Sequence, residues 1–317
     1  MMKTGRDPKH ILIGGGSGFI GSALADKFNQ LGWIVTIISR SAGSGRITWE
    51  DLERDGLPPC DIAINLAGRH IMDLRRRWTP AYRDEVLSSR VNTTRILVKA
   101  INASANPPAL FISTSGKCFY GSYSDDDRRV CNEQSNCGTD FPGQLSGMWE
   151  CAAREVDQER VRHVHIRVGV VLGAIRGRSF PIGFKRGILP VIRLPFCLGL
   201  GGKLGSGKQF LPWVHIDDVV GLFLHAIERE DMQGIYNAVS PDIVTNAEFT
   251  SLFARHLRRP AWFTKPAWMV KWIIGAERAP ILLEGQYVVP ERTLAAGYRF
   301  LFPSLDNALT DLVRIHC

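Results

Sequence analysis

No window of the 317-residue chain approaches about 18 uninterrupted apolar residues, so a membrane-spanning helix is not expected. Nor is there a Cys-x-x-Cys pair. The seven cysteines (Cys60, Cys118, Cys131, Cys137, Cys151, Cys197 and Cys317) are odd in number and scattered, which argues against a secreted disulfide framework and a zinc knuckle. They read as reduced thiols. The opening stretch MMKTGRDPKH lacks the apolar core of a signal peptide and the length of an amphipathic transit peptide. Internal repeats and low-complexity tracts are also missing. These absences lead us to expect a soluble protein of a reducing compartment, the cytoplasm first, with an organelle left open.

What is present is ordinary globular composition, 45% hydrophobic and 22% charged, in a length that suggests about two units. Lys and Arg outnumber Asp and Glu by 39 to 31, a net charge of +8. The basic residues form no single tract, and no RNP-like or helix-turn-helix pattern accompanies them, so neither a nucleic-acid nor a membrane partner is expected. An anionic small ligand suits the charge as well.

The apolar run His10 to Ile13 leads into Gly14-Gly15-Gly16-Ser17-Gly18-Phe19-Ile20-Gly21 and then a helical pattern to about Leu31. A second apolar run, Trp33 to Ile38, closes a β-α-β unit of about thirty residues. In that context Gly15, Gly18 and Gly21 have separate uses. The first permits a tight turn, the second lets backbone approach a pyrophosphate, and the third lets helix pack on sheet. A glycine turn with no ligand is the plainer alternative. NAD-binding folds place a carboxylate about 20 residues further on, whereas Ser39-Arg40-Ser41 offers hydroxyls and a guanidinium, which suits a 2′-phosphate. The cofactor expected is therefore NADP(H), Arg40 as a solvated surface residue being the alternative. Further strands are read at Asp61 to Leu66, Ala109 to Ser113 and His163 to Val171, with helices at Pro80 to Ala103 and about Gln144 to Arg160. This alternation predicts an α/β fold, a Rossmann-like doubly wound parallel sheet with a smaller α+β C-terminal substrate lobe. The expected division gives residues 9–173 and about 211–240 to the nucleotide domain, and 174–210 and 241–317 to the lobe.

The glycine turn and Asn65-Leu66-Ala67-Gly68 resemble the extended short-chain dehydrogenase/reductases. Arg76-Arg77-Trp78-Thr79, Trp149-Glu150, Arg167 to Gly173, Gly199-Leu-Gly-Gly202, Pro212 to Asp218, Leu283-Glu-Gly-Gln286, Pro290-Glu-Arg292 and Gly297-Tyr-Arg-Phe300 narrow the likeness to the atypical epimerase family proteins, whose bacterial members are sometimes labelled SulA-like. The resemblance spans about residues 10 to 315. It implies that Phe19 and Ile20 join the glycines at the cofactor, that Ser39 and Arg40 lie at the adenosine phosphate, and that Leu66 and Ala67 lie beside ribose and pyrophosphate. Glu85 and Arg90 fall on the flanking helix, and Val171 borders the nicotinamide end. For Glu85 and Arg90 an exposed helical ion pair is the structural alternative.

Ordinary members of the superfamily use a Tyr activated by a Lys four residues later. Here none of the six tyrosines has Lys at that spacing, and Leu145 and Trp149 stand where the pair belongs. Phe111-Ile-Ser-Thr-Ser115 supplies a hydroxyl at a strand end, making Ser115 the candidate that orients a substrate oxygen. Lys117, Tyr120, Glu150 and His215 are conceivable substitute acids or bases, read more plainly as a solvated cation, a packing ring, a helix surface charge and a strand-end histidine. Gly202 to Lys208 fits the first positions of a P-loop, but Gln209 replaces the magnesium-binding hydroxyl and Pro212 interrupts the required helix. Asp217 and Asp218 read as an N-cap and a first-turn acid, with no metal expected. The basic stretch 174–193 is longer than the family pattern, either a flap over an anionic substrate or an inert extension. The reading is an NADP(H)-binding protein, an oxidoreductase or epimerase acting on a carbonyl or hydroxyl carbon of a small substrate. A non-catalytic NADPH-dependent regulatory protein is the alternative.

Overall fold

The computed structural model describes residues 8–69, 71–73, 76, 78–125, 127–173 and 187–314. In chain order the first half runs β1 His10–Gly14, α1 Phe19–Gln30, β2 Ile34–Ser39, β3 Arg46–Thr48, α2 Trp49–Asp55, β4 Ile62–Asn65, α3 Pro80–Ala103, β5 Leu110–Gly116, β6 Val130–Cys131, α4 Phe141–Arg154, β7 Arg162–Val168 and β8 Val170–Leu172. The second half runs α5 Leu189–Cys197, β9 Phe210–Leu211, β10 Trp213–His215, α6 Ile216–Glu228, β11 Gly234–Ala238, β12 Val244–Thr245, α7 Asn246–Leu257, α8 Ala267–Ile274, α9 Pro280–Leu283, β13 Tyr287–Val288, α10 Glu291–Ala295 and α11 Leu305–Arg314.

Seven strands form one parallel sheet in the order β11-β7-β5-β4-β1-β2-β3. The doubly wound α/β expectation is met. Alternation along each strand explains the two helical layers. In β1, Ile11 and Ile13 join Leu24 and Phe28 of α1 and Val219 and Phe223 of α6 on one face, while Leu12 packs with Leu52, Leu97 and Ile101 on the other. A separate apolar cluster gathers Leu172, Trp213, Phe249, Phe253, Leu305 and Leu309 from β8, β10, α7 and α11.

Helix ends follow local chemistry. Thr79 and Asp140 cap α3 and α4 by accepting from Tyr82 N–H and Gly143 N–H, and Thr48 and Thr245 form capping boxes with Asp51 and Glu248. Two sequence boundaries move. The expected single strand His163 to Val171 divides at Gly169, where a Cβ would meet Pro212 O at 2.8 Å and Val239 at 2.9 Å, and the chain beyond it pairs with β10 instead of the main sheet. The helix expected to reach Arg160 stops at Arg154, and Val161 N–H closes a turn on Asp157 O at 2.9 Å. Residues 202–209 form a turn leading into β9, not a strand-to-helix loop. Of the basic stretch, 174–186 lies outside the described residues. Among the described residues no helix is long and apolar enough to cross a membrane.

A Cβ on Gly21 would lie 2.5 Å from Gly15 O and 2.7 Å from Gly16 Cα, both backbone. Gly21→Ala is therefore expected to destabilise by about 1–3 kcal/mol, as overpacking does, read as a lowered urea midpoint with an unchanged m-value. A midpoint equal to the parent's would refute this account of the turn.

Candidate functional site

The strand order reverses between β1 and β4, and the chain crowds at the carboxyl ends of those strands. Gly15 adopts φ +77°, and a Cβ there would lie 2.9 Å from Ala67 N and from the Leu66 carbonyl. The turn and the end of β4 thus touch backbone to backbone, with Leu66 N–H donating to Gly14 O at 2.8 Å. Asn65, fully buried, holds this junction. Its Oδ1 accepts from Ala67 N–H at 3.1 Å, its Nδ2 donates to Thr94 Oγ1 at 2.8 Å, and its carbonyl accepts from Thr114 Oγ1 at 2.9 Å. Gly18 caps α1 with no side-chain bond, and no acid occupies the first turn, so nothing from a side chain competes for the N–H groups there.

Phe19 turns its ring toward Gly173 and Gly187, where added Cβ atoms would meet it at 3.1 and 2.8 Å. The residues after β8 therefore reach the glycine turn, and Val171 stands two positions before Gly173, half-buried and paired with Val214. Ile20 packs inward on the main core. At the end of β2, Ile38 O accepts from Gly15 N–H at 3.1 Å. Ser39 Oγ donates to Ser41 O at 2.6 Å, tightening a turn that leaves Arg40 exposed, without a hydrogen-bond or ion-pair partner among the described residues.

Glu85 and Arg90 do not pair with each other. Glu85 binds Arg69 at 2.6 Å and Arg76 at 3.0 Å, partly exposed, an arrangement of the kind worth about 0–1 kcal/mol. Arg90 lies against Gly68, donates to Val86 O at 3.1 Å and sits 5.2 Å from the Trp149 ring. Burial pushes its pKa down to about 10. It meets no carboxylate among the described residues.

The substitute acids and bases are occupied. Glu150 is 1% exposed, not a helix surface charge. Its Oε1 accepts from Arg167 Nε at 2.8 Å and its Oε2 from Arg167 Nη2 at 2.9 Å. Ser115, 5% exposed, donates to Glu150 Oε1 at 2.8 Å and lies 2.9 Å from His165 Nε2. The chain continues through His165 Nδ1 to Ser113 at 2.6 Å and on to His163 Nε2 at 2.7 Å. Lys117 is buried rather than solvated and donates to Gln286 Oε1 at 2.8 Å. Tyr120 donates to Asn237 Oδ1 at 2.6 Å and accepts from Arg167 at 3.1 Å, and burial raises its phenol to about 12. His215, not an aspartate, caps α6 by accepting from Asp217 N–H at 3.1 Å. Asp218 is a buried anchor, accepting from Leu301 N–H at 2.6 Å, Phe302 N–H at 3.0 Å and Tyr298 Oη at 3.1 Å. Sequence reasoning missed Ser113, His163, His165 and Arg167. The available signal was the alternation His163-x-His165-x-Arg167, which puts three polar side chains on one face of the strand, opposite Val164, Ile166 and Val168.

Burial alone would raise the Glu150 carboxyl, but His165 and Arg167 outweigh it and hold the pKa well below the usual range. Glu150→Ala leaves the Arg167 guanidinium buried without its carboxylate, and a loss of about 3–5 kcal/mol in chemical denaturation is expected. His163 is held down to about 3 by burial, with His165 and Arg154 adding to it. Unfolded, it takes up a proton near its ordinary value of about 6.5. Its stabilisation is thus complete above that pH and declines as pH falls toward 3. Between pH 6.5 and 5 the loss is on the order of 2 kcal/mol, and a urea midpoint in His163→Gln as steep in pH as the parent's would exclude this origin.

Residues 11–238 match the NAD dependent epimerase/dehydratase family, and residues 265–312 match a domain of unknown function, DUF1731. The chain is 46% identical over 305 residues to the epimerase family protein SDR39U1 of Bos taurus, covering 96% of this chain and 99% of that one. It is 29% identical over 313 residues to the epimerase family protein YfhF of Bacillus subtilis, covering 96% and 98%. The crystal structure of human SDR39U1 (isoform 2) with NADPH superposes with a TM-score of 0.89 at 43% identity, over 96% of this chain and 99% of that chain. A UDP-glucose 4-epimerase of Thermotoga maritima, at 18% identity and TM-score 0.74 over 96% and 98%, shares the fold. Sheet order, glycine turn and these likenesses agree, and this chain belongs to the NAD dependent epimerase/dehydratase family.

Proposed function

We propose that this chain binds NADP(H) across the carboxyl ends of β1, β2 and β4 and works as an oxidoreductase or epimerase on a carbonyl or hydroxyl carbon of a small substrate. The observation that carries the reading is the cradle. Gly15 meets Leu66 and Ala67 with no room for a side chain, and α1 starts beside it at Gly18 with no side-chain cap and no acid in its first turn. Backbone N–H groups so arranged suit a pyrophosphate. The human relative solved with NADPH supports the same cofactor class. In this reading Gly15, Gly18, Gly21 and the backbone of Phe19 and Ile20 hold the phosphates, and Ser39 and Arg40 hold the 2′-phosphate. Leu66 and Ala67 border the ribose, Arg90 supplies a cation beside Gly68, and Val171 stands toward the nicotinamide. Glu85 acts through Arg69 and Arg76, as a positioning residue.

Bound, the cofactor supplies or accepts a hydride. Ser115 orients the substrate oxygen only by releasing its bond to Glu150, because that bond engages its proton. One observation favours a second reading, a non-catalytic NADP(H)-responsive protein: Lys117, Tyr120 and Glu150 all have buried partners, and Leu145 and Trp149 replace the usual dyad.

NADPH at about 100 times its Kd is expected to add about 2.7 kcal/mol of apparent stability, seen as a thermal shift that NADH does not match. Arg40→Ala should weaken NADPH about tenfold or more and spare NADH, since a charge-assisted bond to phosphate is lost. Equal loss for both removes Arg40 from the phosphate site, and no shift with either removes the cofactor. Ser115→Ala should abolish most NADPH oxidation over a carbonyl panel while leaving the thermal shift. A shift without turnover in the parent favours the second reading.

A further inference from the structure

Three of the most exposed large apolar side chains lie within eleven residues. Trp262, Trp268 and Trp272 are 90%, 71% and 82% exposed, and Phe263 and Ile273 beside them are also exposed. Helix α8 explains the arrangement. Val270 and Ile274 turn inward onto Ala279, whereas Trp268, Lys271 and Trp272, spaced i, i+3 and i+4, share the outer face. The surface continues onto the turn after α5. Phe263 N–H donates to Gly201 O at 3.0 Å, Lys265 N–H to Lys203 O at 2.9 Å and Lys265 Nζ to Leu200 O at 2.9 Å. These bonds bring the exposed Leu198 and Leu200 alongside the aromatic segment. Exposed apolar side chains gathered in one place, rather than scattered singly, mark an interaction surface.

Charge identifies what it meets. From residue 160 to 216 and again from 249 to 276 the sequence contains no Asp or Glu, while Lys203, Arg258, Arg259, Lys265 and Lys271 occupy those stretches. Of the nearby carboxylates, Glu277 is held by Arg83 and Asp306 by Arg255 and His256, and Glu284 lies within electrostatic range of Lys271. We infer that this face, built on α8 and the turn at Leu198–Leu200, docks on the surface of an anionic lipid bilayer. Indole rings flanking a lysine on one helix face suit the headgroup boundary, and aliphatic side chains enter the acyl edge. A second copy would bring like charges together. A nucleic acid gains nothing from exposed leucines and isoleucine. The inference departs from the expectation of no membrane partner, which considered only spanning segments and charge tracts, because contact with a bilayer surface requires neither.

The test is flotation of the full chain with phosphatidylcholine vesicles, with and without about 30 mol% phosphatidylserine. The chain should float with the anionic vesicles, about tenfold less with neutral ones, and progressively less as salt rises. Trp268→Ser combined with Trp272→Ser should reduce partitioning about tenfold with the urea midpoint retained. If that variant misfolds, Lys271→Glu, a single exposed change, should show the same loss. Absence from the anionic fraction overturns the inference. So does partitioning unchanged by Lys271→Glu, a dimer in sedimentation that the tryptophan variant dissolves, or an oligonucleotide that displaces the vesicles.

Discussion

The close approach of the glycine turn to the end of β4 is the constraint on which the site depends. Gly15 can stand against Leu66 and Ala67 only without a side chain and with positive φ, and Gly21, inside α1, can pass Gly15 and Gly16 only without a side chain. Asn65 then locks the junction from below through Ala67, Thr94 and Thr114, and Thr94 passes the tie to Trp149 through a 2.9 Å bond. Two helices on one side of the sheet are thereby fastened to the floor of the crevice. Trp149, at the position of the family's usual lysine, serves architecture instead of proton transfer.

Beside that floor, Glu150 and Arg167 form a buried ion pair that organises the carboxyl ends of β5 and β7. Such a pair contributes little net stability over apolar packing, but neither partner tolerates the loss of the other. Here it also engages Ser115, His165 and Tyr120, so that groups able to move protons are satisfied within the protein. The arrangement reconciles a nucleotide-binding fold with the missing dyad: polar chemistry sits where chemistry is expected, directed toward itself.

The sheet, its helices and the glycine turn were legible because each leaves a local trace. Buried parallel strands are short apolar runs, α3 begins and ends where the sequence pattern places it, and the turn announces itself by glycine spacing. Short pieces escaped, among them β6, β9, β12 and β13, because two residues carry no period and exist only by pairing with a distant partner. Side-chain fates were less legible still. Lys117 and Glu150 read as solvated charges because their partners, Gln286 and Arg167, come from other elements.

By itself, then, the sequence determined the β-α-β unit with its glycine turn, encoded within about thirty contiguous residues, and the family pattern spread along most of the chain. Tertiary structure decided which charges are buried and by whom they are answered. It broke the strand at Gly169 and made His215 the cap of α6. It also left the tryptophans of α8 uncovered. Each of these depends on which distant segment packs opposite, and burial and pairing are properties of that contact rather than of the residue.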